Sequence, residues 1–470
     1  MPDPIDAVLI GAGQRGANDY GSYALRHPDR LRFVAVAEPV PERRTRFARQ
    51  HHIPLDEQYG HWQDLLSGPQ KARGALICTQ DQMHVEPTIT ALRRGYDVLL
   101  EKPIATTPEG CVEVIVTAAE TGRQLHIGHV LRYTHHFQKL RQVLNSGMLG
   151  DLVNVDHREN VSWWHMSHSY VRGSWAVQSE SSPMILTKCC HDFDLLLWIL
   201  GRKCEHLSSV GQLVHFRPEK APSGAPKRCL DGCPSSEECP YYAPFVYIDL
   251  LPLWRDIADT STGLMNFAAQ AQLRVPKLLR YVSKVAPFLR QISDYRGWPI
   301  SVLALEPSPD AILEALRDGP YGRCVYFCGS DVVDHQVVLM QFEGDISVSL
   351  TMHGHSHNEG RSTRIEGSRA TLKSFFGLGG SWIEINEHRS DRFTRYDTTG
   401  DVKGAHGGGD VELLTTFIDS LRNESNRESL AIARQALQSY LLAFAAEEAR
   451  LGNQVVNMEA YTDRYLLSAD

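Results

Sequence analysis

A short apolar run, Ala7–Ile10, ends directly in Gly11-Ala12-Gly13-Gln14-Arg15-Gly16, and a helix-compatible segment follows at once. Glycines at the first, third and sixth positions let a strand turn tightly into a helix, bring the backbone close to a ligand and allow dense strand–helix packing. The N-terminus of the helix attracts an anion. Such a strand belongs inside a parallel sheet, with its turn at the carboxyl edge, where sheets of this kind bind their ligands. Glu38 ends the second strand-like run, where an acidic group accepts hydrogen bonds from adenosine ribose hydroxyls and repels a 2′-phosphate. The pattern predicts a dinucleotide site at Gly11, Gly13, Gln14, Arg15, Gly16 and Glu38, with NAD favoured over NADP. Arg43 and Arg44 follow closely and keep a 2′-phosphate open as the alternative.

The same rhythm continues through residue 128. Arg32–Ala37, Gly74–Cys78, Asp97–Leu100 and Gln124–Ile127 read as strands. Pro41 and Thr107-Pro108-Glu109 read as helix starts, the second helix closing at Gly122. After Gly128 the pattern changes to a helix around His136–Asn145, a strand over Leu152–Asn160 and a helix around Asp192–Leu200. Strands follow at Val332–Phe342 and Ile346–Met352, joined by Glu343-Gly344-Asp345 as a hairpin turn, then near Ala370–Phe376 and Trp382–Glu387. The expected class is α/β: a dinucleotide-binding domain over 1–128, then an α+β domain over 129–470 built on a largely antiparallel open sheet. An irregular insertion rich in Pro, Cys and aromatics is expected at about 215–320. A helical segment is expected from about 410, with Phe417, Leu421, Leu437, Tyr440, Leu441 and Phe444 on apolar stripes.

A chain of 470 residues exceeds one compact core, which fits this division. Its net charge of −8 argues against nucleic acid or an anionic membrane surface as partner. No apolar run reaches the roughly eighteen residues a membrane helix needs. The start, Met-Pro-Asp-Pro-Ile-Asp, lacks the parts of a leader peptide, so a cytoplasmic protein with a small-molecule partner is expected. The 10 cysteines read as reduced thiols. One group, Cys229, Cys233 and Cys239, is spaced so that a structural zinc is conceivable if Cys324, Cys328 or a histidine supplied a fourth ligand.

Cys78-Thr79-Gln80-Asp81, with His84 in the next helix, closes the fourth strand, and Glu101-Lys102-Pro103 closes the fifth. Gly128-His129 and Arg132-Tyr133, with Phe137 and Lys139, follow. As an ordered set these motifs resemble the glucose–fructose oxidoreductase-like (Gfo/Idh/MocA) family, most strongly over residues 5–200. The resemblance implies an N-terminal Rossmann domain, with Thr79, Asp81, His84, Glu101 and Lys102 at the cofactor and Lys102 beside nicotinamide and substrate hydroxyl. It also implies a homodimer or homotetramer. A lysine at that sheet edge can donate a hydrogen bond to a reacting oxygen.

One stretch departs from the family. Dehydrogenases of this kind commonly carry an Asp four residues before a His, whereas here Thr187 precedes His191 and Lys188 adds a cation. His191 remains the best general base, because its ordinary pKa lies near neutrality. Lys188 is read as a catalytic candidate or as the holder of a substrate oxygen or carboxylate. The run Trp163-Trp164-His165-Met166-Ser167-His168, with Tyr170, Arg172 and Trp175, interleaves rings with hydrogen-bonding groups, as a sugar site does. His129, Arg132, Trp164, His165, His168, Arg172 and Asp192 are the expected substrate contacts. The expected activity is hydride transfer between NAD and a secondary hydroxyl of a sugar or polyol. The alternatives are an NAD-dependent glycoside hydrolase working by transient oxidation, elimination, water addition and re-reduction, and a non-catalytic NAD-binding regulator.

Overall fold

The computed structural model describes residues 3–261, 263–275, 294–377, 380–399, 405–423 and 426–466. Strand β1 (Ile5–Ile10) is buried from Ala7 onward because it lies between two parallel neighbours, β2 (Leu31–Ala37) and β4 (Gly74–Ile77). With β3 (Gln58–Tyr59), β5 (Asp97–Leu100) and β6 (Leu125–Ile127) they form a six-stranded parallel sheet in the order β3-β2-β1-β4-β5-β6. The order reverses between β1 and β4, which opens a crevice at their carboxyl ends. Helices Pro41–Gln50 and Pro108–Thr121 begin on their prolines. Thr107 caps the second by accepting from the Gly110 amide, and Gly122 ends it at φ 60°.

The second sheet has nine strands: β7 (Leu152–Ser162), β8 (Cys204–Gln212), β9 (His335–Phe342), β10 (Ile346–Ser356), β11 (Gly360–Gly367), β12 (Ala370–Gly377), β13 (Ser381–Glu387), β14 (Phe393–Asp397) and β15 (Val455–Asn457). Their order is β14-β13-β12-β11-β7-β10-β9-β8-β15, antiparallel throughout except where β7 runs parallel to β10. Helix Cys190–Leu200 is buried along its whole length, packed against His135–Asn145 and the long helix Asn426–Gly452. The long helix also touches β6 and β8, so it ties the two sheets together. At one point Ser429 Oγ bonds both the amide and the carbonyl of Leu125.

The insertion is more regular than its composition predicts. It contains helices Ala243–Tyr247, Leu251–Thr260, Gly263–Arg274, Ile300–Leu303 and Pro309–Asp318, around a small core of their own that includes Tyr247, Trp254, Ile300 and Leu316. Pro252 and Pro309, two of the prolines behind the expected irregularity, stand in the first turns of helices, where a missing N–H costs nothing. The part of the expected insertion at 276–293 lies outside the described residues. Among the described residues no helix is long and apolar enough to cross a membrane.

Candidate active site

The glycine turn sits in the crevice between β1 and β4. Gly11 has φ +94°, and a Cβ there would stand 2.5 Å from the carbonyl oxygen of Cys78. A Cβ on Gly16 would stand 2.1 Å from the carbonyl oxygen of Gly11. These two glycines close the turn. Gly13 differs, because its φ of −79° suits any residue and a Cβ there would meet nothing within 4 Å. The turn therefore presents an open face beside the helical start at Gln14, a cradle that fits a pyrophosphate. Glu38, 4% exposed, accepts from Ala12 N at 2.8 Å and Val40 N at 2.9 Å, which pins the turn to the end of β2. Each carboxylate oxygen keeps a lone pair for a ribose hydroxyl. Arg44 donates to the Glu38 carbonyl at 2.6 Å, and Gln14 Oε1 accepts from Asn18 Nδ2 at 2.7 Å and Ser301 Oγ at 3.3 Å, the latter from the insertion.

Arg15 points away from this cradle. Its guanidinium donates to Glu101 Oε1 at 2.8 Å and Asp19 Oδ2 at 2.9 Å and pairs with Asp410 at 2.7 Å. Burial works to raise the Glu101 carboxyl, but Arg15 and the Tyr20 hydroxyl bonded to it outweigh burial and hold it low. The cluster fixes the end of β5, from which Lys102 extends. Lys102 Nζ donates to the Thr187 carbonyl at 3.0 Å and lies 5.8 Å from the centre of the Trp175 ring. Trp175 is held in turn by Asp81, which accepts from its indole N–H at 3.0 Å, and stacks on Tyr170. His84 fastens the two signature strand ends together, with Nδ1 2.5 Å from the Pro103 carbonyl and Nε2 3.2 Å from that of Thr79. His191, 7% exposed, and His129 meet edge to face at 5.5 Å. Burial pushes His129 down to about 4, so it is neutral at physiological pH.

Lys188 enters a separate ion network. Its Nζ is 3.1 Å from Glu359 Oε1 and 3.3 Å from Glu159 Oε1. Glu359 also meets His165 Nδ1 at 3.0 Å and accepts from Ser162 N at 2.7 Å, while its own amide donates to both Asp256 oxygens at 3.1 Å. Arg361 joins Glu159 at 2.6 Å to Asp192 at 2.8 Å, and Asp192 also bonds His157 Nε2 at 2.8 Å. Burial opposes the Lys188 ammonium, yet Glu159 and Glu359 outweigh it and raise its pKa above the ordinary lysine range. Burial likewise opposes the Asp192 carboxylate, which Arg361 and His157 hold down at about 2.

Residues 5–129 match the sequence profile of an oxidoreductase family with an NAD-binding Rossmann fold, Gfo/Idh/MocA, and residues 137–275 match the C-terminal domain of the same family. The chain belongs to the Gfo/Idh/MocA family. It is 25% identical over 212 residues, 45% of this chain and 54% of the relative, to 2,7-anhydro-N-acetylneuraminate hydratase of Mediterraneibacter gnavus. It is 28% identical over 223 residues, 46% of this chain and 60% of the relative, to inositol 2-dehydrogenase of Streptomyces avermitilis. The chain thus spans about half the length of the curated relatives it matches. In fold it is similar to an oxidoreductase from Agrobacterium radiobacter solved in complex with NAD+, L-tartaric acid and magnesium, with a TM-score of 0.62 at 13% identity over 97% of this chain and 99% of the other.

Within this Gfo/Idh/MocA fold, the expected substrate residues divide. His129 and His191 adjoin one another, and His165 reaches the Lys188 network. Arg132 is engaged within the protein: it grips Asp194 with two hydrogen bonds of 2.5 Å and donates to Gln435 Oε1 at 2.9 Å. Asp192 is fully buried in its own pairs. Trp164 packs on Trp298, His168 bonds Tyr247 and stacks on Tyr321, and Arg172 donates to the carbonyls of Arg323 and Tyr241. These three fasten the aromatic run to the insertion, because buried polar groups take whatever partner is adjacent. Trp175, already part of the expected aromatic run, stands beside Lys102, and Glu359, which was not among the expected contacts, stands beside Lys188.

The zinc expectation is not supported. Among the described residues no group of three His, Cys, Asp or Glu is placed to hold a metal ion, and all 10 cysteines are free thiols. Cys229, Cys233, Cys239 and Cys324 do line one small cavity, but Arg172 enters the same space and donates to Cys229 Sγ at 3.6 Å. A guanidinium there opposes a second cation.

Proposed function

We propose that the chain oxidises a secondary hydroxyl of a sugar, sugar derivative or polyol, with NAD as cofactor. The observation that carries this reading is Lys102, whose ammonium is anchored by the Thr187 carbonyl at the carboxyl edge of the parallel sheet, over an indole and two strands along from the glycine cradle. An ammonium has three N–H donors, and the anchored one leaves others for a substrate oxygen. His191 stands as the group that takes the hydroxyl proton, and the buried, neutral His129 beside it keeps extra positive charge away. Glu38 at the ribose position disfavours a 2′-phosphate. The nicotinamide, when bound, accepts the hydride. Replacing Lys102 by Ala is expected to lower kcat about 10²- to 10⁴-fold while leaving NAD affinity within a few-fold. Undiminished turnover in a sugar screen that follows NADH overturns the assignment.

A second reading is favoured by one feature. Thr187 stands where dehydrogenases of the family carry aspartate, and a backbone carbonyl rather than a carboxylate anchors Lys102. A redox-neutral reaction, in which transient oxidation is followed by elimination or hydration and re-reduction, suits a site with that change. It gives product without net NADH, whereas a dehydrogenase accumulates NADH in step with product.

A further inference from the structure

Lys188 looks at first like a receptor for an acidic sugar. Its side chain is 15% exposed, and it adjoins the cleft through Tyr170, which stacks on the Trp175 ring below Lys102. Its charge, however, is already engaged. Glu359 lies 3.1 Å and Glu159 3.3 Å from Nζ. Neither carboxylate can swing aside cheaply. Glu159 is wholly buried and held by Arg361 at 2.6 Å. Glu359 is clamped at both ends: its carboxylate accepts from Ser162 N and meets His165, and its amide is gripped by Asp256 of the insertion helix Leu251–Thr260.

The charges can be counted from these contacts. Glu159, Glu359 and Asp192 contribute three negative charges, and Lys188 and Arg361 contribute two positive ones, with His157 and His165 attached to the acids. The network therefore sums to one negative charge and carries no surplus cation unless both histidines are protonated. A carboxylate brought to Lys188 would meet two others within 3.3 Å of the same nitrogen. A hydroxyl meets no such repulsion and can share the fixed donors and acceptors.

We infer that Glu359 is a specificity-determining residue: by locking Lys188 into an ion pair it makes this cleft accept neutral sugars and reject their uronic acids. The inference rests on the reading of the cleft as a sugar site, but it does not depend on hydride transfer. The experiment is calorimetry on the NAD-loaded protein with matched pairs, methyl glucoside against methyl glucuronoside and methyl galactoside against methyl galacturonoside. The wild-type protein should bind the neutral member at least about tenfold tighter. Glu359→Gln removes one negative charge and should move the uronate-to-neutral ratio at least about tenfold toward the uronate. Adding Lys188→Met to that variant should erase the gain. If Glu359→Gln fails to fold, Glu359→Asp, which draws the carboxylate back by one methylene, should move the ratio in the same direction by a smaller factor. A wild-type preference for the uronate overturns the inference, as does an unchanged ratio in a variant with wild-type melting temperature. Binding of neither member overturns it together with the sugar site. A confirmed ratio without NADH formation sinks the oxidation and leaves the specificity standing.

Discussion

The glycine turn separates folding from cofactor binding at single-atom resolution, and Gly13→Ala is the substitution that exposes the separation. Alanine adopts φ −79° freely, and its Cβ would touch nothing within 4 Å. The folded state therefore incurs no clash. Stiffening the unfolded chain contributes about 0.4–1 kcal/mol of stability. Alanine's inferiority to glycine at a helix N-cap removes up to ~1 kcal/mol, so the net change should be near zero. The new methyl occupies the space where the backbone must approach a pyrophosphate, and NADH affinity should fall at least about tenfold, or about 1.4 kcal/mol. Gly16→Ala is the contrasting control. Its Cβ would overlap the Gly11 carbonyl oxygen at 2.1 Å, which no rotamer relieves, and the resulting backbone shift should destabilise the fold by about 1–3 kcal/mol or more. Thermal melting without nucleotide and fluorescence titration with NADH measure both effects. Unchanged NADH affinity in Gly13→Ala, or a melting temperature several degrees lower, refutes the placement of the pyrophosphate.

Three further outcomes follow from buried charges. Arg132→Met leaves Asp194, 1% exposed, without its two-pronged partner and should cost about 3–5 kcal/mol in urea unfolding; a loss under about 1 kcal/mol would mean the pair is not buried as described. His126 and His129 are pushed by burial to about 4 and His136 to about 3, below the ordinary 6.5. A histidine lowered on folding stabilises the fold fully above its unfolded pKa, so stability should drain away as pH falls from about 6.5 toward 4, and His126→Asn should flatten that slope in melting curves. Asp256 has the opposite sign: burial, then Glu359, raises it to about 7, so its contribution is lost as pH rises from about 4 to 7. Asp256→Asn should therefore gain stability relative to wild type at pH 8 and not at pH 4, as read by melting temperature across that range.

The parallel half of the fold was legible because its signals are local. Each apolar run is short and bounded by a glycine or proline whose position has one meaning, and the expected strand ends fall within a few residues of those observed. The second sheet was harder where its strands are polar. Gly360–Gly367 offers few apolar residues, Phe393–Asp397 is an edge strand with its side chains largely exposed, and Val455–Asn457 pairs through only three residues. None carries an alternation strong enough to be seen without its neighbours. In the insertion, cysteines and prolines suggested irregularity, yet two of the prolines start helices whose apolar stripes close a core of their own.

At the site, residue identity was readable and partnership was not. Lys102, Glu38 and the three glycines stand at strand ends, and a strand end at the carboxyl edge of a parallel sheet has a predictable position. Arg132, Arg172, Asp192 and Lys188 were read as groups awaiting a substrate because a sequence shows a charge without showing what answers it. Their partners come from elements far apart in the chain: Arg361 lies opposite Glu159 only because β11 pairs with β7, and Glu359 arrives just before that same strand. A charge taken out of water must be paired, so every buried cation near a cleft has to be discounted until its acid is found. Among the described residues, that discount cancels Lys188 and leaves Lys102, whose anchor is a neutral carbonyl, as the lysine on which the proposed function rests. On the proposed function, the departure at Thr187 and the acids around Lys188 act together: Lys102 is anchored by a backbone carbonyl and not by an aspartate at position 187, which leaves its charge for a substrate oxygen, while the second lysine is engaged by its own acids.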